Sequence, residues 1–318
     1  MKIENITIAG GGVLGSQIAF QSAYKGYNVT IWLRSEDSIK RAKPKLDNLK
    51  KTYIDVINKM DAEEGKTFDN WCRGIADINN FNKKDCLSNV IKASENIKLE
   101  TDVNKAFENA DLVIEAMSEN LNDKKEFYKK IANVLPEKTI VVTNSSTLLP
   151  SKLAKYTGRE NKFLALHFAN SIWKNNTAEV MAQPKTDEKY FNEVIEFAKK
   201  IGMIALPLKK EKSGYLLNSM LVPFLFSALD LLVNEISDVK SIDSAWKLGT
   251  GAPEGPFEIL DVVGLNTAYE IVQMYVKIPS FLAPYNFKGM AKLLKQYIDE
   301  GKLGKNSGEG FYKYNGKQ

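Results

Sequence analysis

Residues 3–33 hold the strongest constraint on what this chain can become. Ile3 to Ala9 is a β-branched run that reads as a strand, and Gly10-Gly11-Gly12-Val13-Leu14-Gly15 follows at once. Ser16 to Tyr24 then places Ile18, Ala19 and Ala23 on one helical face, and Asn28 to Leu33 is a second strand. The unit of strand, glycine turn, helix and strand gives each glycine a task. Gly10 makes the tight turn, Gly12 lets backbone approach a pyrophosphate, and Gly15 lets helix and strand pack closely. Amides at the helix N-terminus, around Val13 and Leu14, then face the phosphates. The reading is a dinucleotide-binding turn.

The rest of the chain continues the alternation. Strands are predicted at Ile97–Glu100, Leu112–Glu115, Thr139–Thr143, Phe163–His167 and Met203–Leu208, with an edge strand at Glu179–Ala182. Helices are predicted at Lys124–Val134 and Glu188–Ile201, the second closed by Gly202. Asp37 to Asn96 is a charged helical excursion from the sheet. It has apolar residues at helical spacing (Leu46, Leu49, Tyr53, Ile57, Met60) and a loop-like stretch near Asn79–Asn82. After Lys212 only helical periodicity remains, at about 214–236, 242–248, 266–277 and 288–300. The fold class is therefore α/β: a Rossmann-type, mostly parallel sheet over residues 1–210, then an all-α domain over 211–318 beyond the charged linker Lys209–Lys212.

Bulk properties exclude several classes. Forty-four Lys and Arg face 39 Asp and Glu, a net charge of +5 spread along the chain, so no basic stripe for nucleic acid is present. That mild excess suits an anionic small molecule. Cys72 and Cys86 fit neither a metal-site spacing nor a disulfide framework, which predicts no metal and a reducing cytoplasm. Met1-Lys2-Ile3 runs straight into a strand with no signal-peptide pattern. The apolar stretch 221–233 is broken by Pro223, Ser227 and Asp230, so it reads as a buried helix and no membrane span is expected.

At the end of the second strand such folds usually place an acid for the ribose hydroxyls. Here Leu33 stands there, followed by Arg34 and Ser35. No carboxylate repels a 2′-phosphate, and a guanidinium and a hydroxyl are at hand to bind one, which favours NADP(H) over NAD(H); an Arg34 that stacks on the adenine or points into solvent is the alternative.

His167 is the only histidine, at the C-terminal end of a strand, the edge where doubly wound sheets bind ligands. Histidine suits proton transfer near neutral pH, and dehydrogenation of an alcohol needs a base for the hydroxyl proton. Glu179 follows twelve residues later (179 − 167) and can return to the imidazole if a loop joins two neighbouring strands. A packed strand histidine and a surface glutamate are the alternatives.

These pieces together resemble the L-3-hydroxyacyl-CoA dehydrogenase family, over nearly the whole chain. Family motifs are matched by Gly10–Gly15, by Val113-Ile114-Glu115-Ala116 with Glu119 and Lys124, and by Asn144-Ser145-Ser146-Thr147. They are matched again by His167-Phe168-Ala169-Asn170, Glu179, Asn218, Gly255-Pro256-Phe257-Glu258 and Ser307-Gly308-Glu309-Gly310-Phe311-Tyr312. The resemblance implies hydride exchange between NAD(P) and C3 of a 3-hydroxyacyl-CoA, with His167 as base and Glu179 orienting it. Ser146 and Asn218 would hydrogen-bond the substrate oxygen or imidazole, with Asn170 also at the substrate. Glu119, Lys124 and Asn144 would line ribose and nicotinamide. It further implies a homodimer formed by the helical domain, and an excursion that covers CoA. The chain departs from the family pattern at Leu33, Ala169, Ser171 and Ser213, and Trp173 and Lys174 stand where small residues and prolines are usual. Two alternatives stay open: a dehydrogenase of a free hydroxy acid, of the L-gulonate or carnitine type, and a non-catalytic nucleotide-binding or structural homologue.

Overall fold

A computed structural model describes residues 2–67 and 70–314. Among these, β1 (Asn5–Ala9), β2 (Asn28–Trp32), β3 (Ile97–Glu100), β4 (Leu112–Glu115), β5 (Ile140–Thr143), β6 (Phe163–Phe168), β7 (Thr177–Ala182) and β8 (Ile204–Leu208) form one sheet. Its order is β3-β2-β1-β4-β5-β6-β7-β8. Every pair is parallel except β6–β7. Successive side chains of a strand point to opposite faces, and here both faces are covered. Ile6, Ile8, Ile31, Ile114 and Val142 pack on one side with α1 (Val13–Tyr24), α2 (Glu36–Asp61), α3 (Lys83–Asn96) and α6 (Glu188–Lys200). Trp32, Val113, Val141 and Phe163 pack on the other with α4 (Val103–Phe107) and α5 (Leu121–Ala132).

The charged excursion is the helix pair α2 and α3, and it does not leave the core. Its apolar stripe Ala42, Leu49, Tyr53, Ile57 and Met60 is buried. The Tyr53 hydroxyl donates to Gln21 Oε1 of α1 at 2.6 Å, and its ring meets Phe20 edge-on. The strand carrying Glu179 is not an edge strand, since β7 pairs with both β6 and β8.

Contacts divide the chain into two compact units, one ending at Leu216 and the next beginning at Leu217. The second holds α7 (Leu217–Val233), α8 (Val239–Thr250), α9 (Pro256–Val263), α10 (Leu265–Gln273) and α11 (Phe287–Asp299). The predicted first helix starts three residues late, because Gly214 and Tyr215 both take positive φ and break it. It is also only partly buried: Leu225, Phe226, Ala228 and Leu229 face inward while Met220 and Leu231 are exposed. α9 has no counterpart in the periodicity reading, since Gly255-Pro256 looks like a turn yet caps and starts a helix. The C-terminal segment is pinned by Asp261, which accepts from the amides of Phe311 and Tyr312 and the hydroxyl of Tyr314. No helix of the described residues is long and apolar enough to cross a membrane.

Candidate active site

The glycine turn joins β1 to α1 at the switch point between β1 and β4, where the strand order reverses. A Cβ on Gly10 would lie 2.7 Å from the Ala116 carbonyl oxygen, and one on Gly15 would lie 2.2 Å from that of Gly10, so side chains are excluded at both. A Cβ on Gly12 would meet none of the described residues within 4 Å. Gly12 caps α1 without a side-chain hydrogen bond, and no acid stands in the first turn, so the helix end keeps its partial positive charge for an anion. Beside the turn lies a cleft of about 210 Å³, bordered by Leu33 and Arg34 on one rim and Ala116 to Ser118 on the other. The residues present therefore fit a dinucleotide.

Ser35 is not on that rim. Its Oγ caps α2, accepting from the Ser38 amide at 3.4 Å. Ser38, Arg41 and Lys45 border the cleft instead. They belong to no motif, and their i, i+3, i+7 spacing is the only sequence signal they carry.

His167 and Glu179 sit directly opposite each other in the antiparallel β6–β7 register. The Nδ1 of His167 lies 2.9 Å from Glu179 Oε2, and its Nε2 lies 3.0 Å from Ser146 Oγ. An ionised carboxylate only accepts, so Nδ1 carries the hydrogen and Nε2 keeps its lone pair toward the serine hydroxyl. Glu179 is buried, while the His167 side chain keeps 13% of its surface exposed. One end of this array is closed and the other is open to a reactant.

The serine is held from below. Glu119 accepts from Ser145 Oγ at 2.8 Å and from the amides of Ser146 at 2.6 Å and Thr147 at 3.3 Å. Lys124 lies 3.5 Å from Glu119 and 2.6 Å from Glu115. Glu115 also accepts from Tyr128, Thr143 and the Met117 amide. At 1% exposure the Lys124 side chain lies behind the serine loop and is not among the residues that line the cleft beside the glycine turn. Asn144 Oδ1 accepts from the Phe168 amide at 3.0 Å and so ties the β5 loop to the end of β6. Asn170 is exposed just past β6 and Asn218 lies in the first turn of α7. Trp173 turns inward, its ring 5.6 Å from that of Tyr53, so it fills core space.

Tyr215 enters without a motif of its own. Its ring stacks on the His167 imidazole at 4.4 Å and 15°, and its hydroxyl donates to the Ser145 carbonyl at 2.7 Å. Burial and the nearby carboxylates of Glu119 and Glu179 hold the phenol well above its ordinary pKa, so it remains a donor. The next amide, Leu216 N, donates to Glu179 Oε1 at 2.8 Å. An aromatic pair of this kind contributes about 0.5–1.5 kcal/mol. Tyr215→Leu is therefore expected to lower kcat about tenfold, and Tyr215→Phe, which keeps the ring, to lower it about twofold. Steady-state kinetics beside melting temperatures check this, and equal losses in the two variants would reject the stacking role.

A glycine turn at the switch point of a doubly wound sheet, with bare helix amides and a fitting cleft, defines an NAD-binding oxidoreductase of Rossmann type. The chain belongs to the 3-hydroxyacyl-CoA dehydrogenase family: the family's NAD-binding domain matches residues 5–211 and its C-terminal domain matches residues 214–314. The mitochondrial hydroxyacyl-coenzyme A dehydrogenase of Homo sapiens is 33% identical over 98% of this chain and 91% of its own. A probable 3-hydroxybutyryl-CoA dehydrogenase of Bacillus subtilis is 29% identical over 100% and 99%. A solved diketoreductase, described as catalysing reactions of dicarbonyl compounds, is 46% identical over 99% of this chain and 100% of its own, with a TM-score of 0.84.

Proposed function

We propose that this protein interconverts a 3-hydroxyacyl and a 3-oxoacyl thioester of CoA with NADP(H) in preference to NAD(H). The observation that carries the reading is the Ser146–His167–Glu179 array, on the same sheet edge as the glycine turn. β1 and β6 are three strand spacings apart, about 14 Å. That suits a dinucleotide laid across the crest. The nicotinamide supplies the hydride donor or acceptor; the side chains manage the proton.

In oxidation, His167 Nε2 takes the C3 hydroxyl proton and Glu179 stabilises the resulting imidazolium. In reduction, that imidazolium returns its proton to the oxygen. Ser146 Oγ, already bonded to Nε2, exchanges this bond for one to the substrate oxygen. From the resemblance, Asn218 is a further donor to that oxygen, Asn170 contacts the substrate, and Glu119 and Asn144 reach the coenzyme's ribose or nicotinamide. The cysteines Cys72 and Cys86 are free and buried, which supports a cytoplasmic setting. Leu248, Met274 and Phe281 of the second unit, exposed by 87%, 72% and 85%, support a homodimer.

The diketoreductase relative favours a second reading, in which the same C3 chemistry acts on a dicarbonyl compound without CoA. Reduction of acetoacetyl-CoA and of ethyl acetoacetate, each with NADPH and NADH, separates the two. The highest kcat/KM is expected for acetoacetyl-CoA with NADPH. A larger value for the ester transfers the assignment to free dicarbonyls, and no turnover of either substrate overturns both readings.

A further inference from the structure

Part of the cleft beside the glycine turn is lined by the first half of α2. Ser38, Arg41 and Lys45 recur at i, i+3 and i+7, so they share one helix face, and that face borders the cleft together with Arg34. Arg41 donates to Ser38 Oγ at 2.9 Å, and Ser38 Oγ lies 3.2 Å from Ser35 Oγ. Lys45 Nζ donates to the Gly11 carbonyl at 3.1 Å, which brings its ammonium to the turn itself. Among the described residues, no carboxylate belongs to the cleft lining. The neighbouring acids are occupied elsewhere: Asp37 pairs with Lys40 at 3.0 Å, and Glu36 accepts from Thr101. Asp123 forms a long, exposed ion pair with Arg34 at 3.9 Å and stands outside the cleft lining.

This composition discriminates between ligands. A ribose diol needs an acceptor for its hydroxyl protons, and guanidinium and ammonium groups are donors only. Leu33, buried at the position where an acid would accept those protons, offers none. A phosphate monoester presents three acceptor oxygens and close to two negative charges near neutral pH. It would satisfy the donors and relieve the mutual repulsion of three cations at once. We propose that Ser38, Arg41 and Lys45, with Arg34, form the recognition site for the 2′-phosphate of NADP(H), with Arg41 at its centre. The proposal rests on the coenzyme preference given under Proposed function and adds the residues that read it.

The test compares adenosine 2′,5′-bisphosphate with AMP, which differ only in the 2′-phosphate, by calorimetric titration of the full chain. The bisphosphate is expected to bind at least tenfold more tightly. Arg41 is exposed, so Arg41→Ala folds normally. It is expected to weaken the bisphosphate about tenfold or more, as loss of a charged hydrogen bond does, and to leave AMP within about twofold. Lys45→Ala and Arg34→Ala are expected to give smaller losses in the same sense. A bisphosphate preference untouched by all three variants would overturn the residue assignment while the coenzyme preference stands. Equal affinities in the unaltered protein would overturn both. A loss of AMP binding equal to the loss of bisphosphate binding would place these residues at the adenosine or 5′-phosphate and so reject the proposal.

Discussion

Replacing His167 with Gln is expected to lower kcat/KM for 3-oxoacyl reduction by about 10²–10⁴-fold, the range that a positioned general acid or base contributes. The chain holds one imidazole, with Nδ1 on Glu179 and Nε2 on Ser146. Glutamine retains hydrogen-bonding capacity but cannot gain or lose a proton near neutral pH. Ser146 and the coenzyme cleft remain in place, so AMP binding and the melting temperature should change little. Glu179→Gln is expected to cost less, because the imidazole stays while its charged form loses the adjacent carboxylate. A His167→Gln protein within tenfold of the unaltered enzyme would show that the proton travels by another route.

What could be read without coordinates follows the range of the interactions involved. The glycine turn is compact: Gly15 answers to the backbone of Gly10, Gly10 to the backbone just past the adjacent strand β4, and Gly12 leaves its space open, and the sequence pattern carries all three directly. Alternation of strand and helix similarly yields the doubly wound sheet. The pairing of β6 with β7 is tertiary, so the sequence carries the His167–Glu179 contact only on condition that a loop joins neighbouring strands, and it does not carry the interior position of β7. The helix face carrying Ser38, Arg41 and Lys45 can be drawn from spacing alone, but which way it faces depends on packing against α1. Tyr215 is the extreme case. Its role depends on a left-handed backbone, φ 52°, that no residue preference announces.

Lys124 shows the same limit in energetic form and leads to the second large effect. The resemblance places this lysine at the coenzyme, while lysines are rarely buried without a partner. In the structure its ammonium is enclosed between Glu115 and Glu119. Lys124→Met would leave the fully buried Glu115 carboxylate without its cation, and breaking a buried pair in this way costs about 3–5 kcal/mol. For a unit of this size the melting temperature should fall by roughly 10 °C, measured by calorimetry. The double variant Lys124→Met with Glu115→Gln removes the orphan charge. It keeps an amide oxygen for Tyr128 or Thr143, so it should regain at least half of the loss. The competing role, a lysine that binds coenzyme directly, predicts the opposite pattern: a large rise in the coenzyme KM, an almost unchanged melting temperature, and no recovery when Glu115 is neutralised. The measured balance between melting temperature and KM therefore decides whether Lys124 supports the serine loop from behind or meets the ligand.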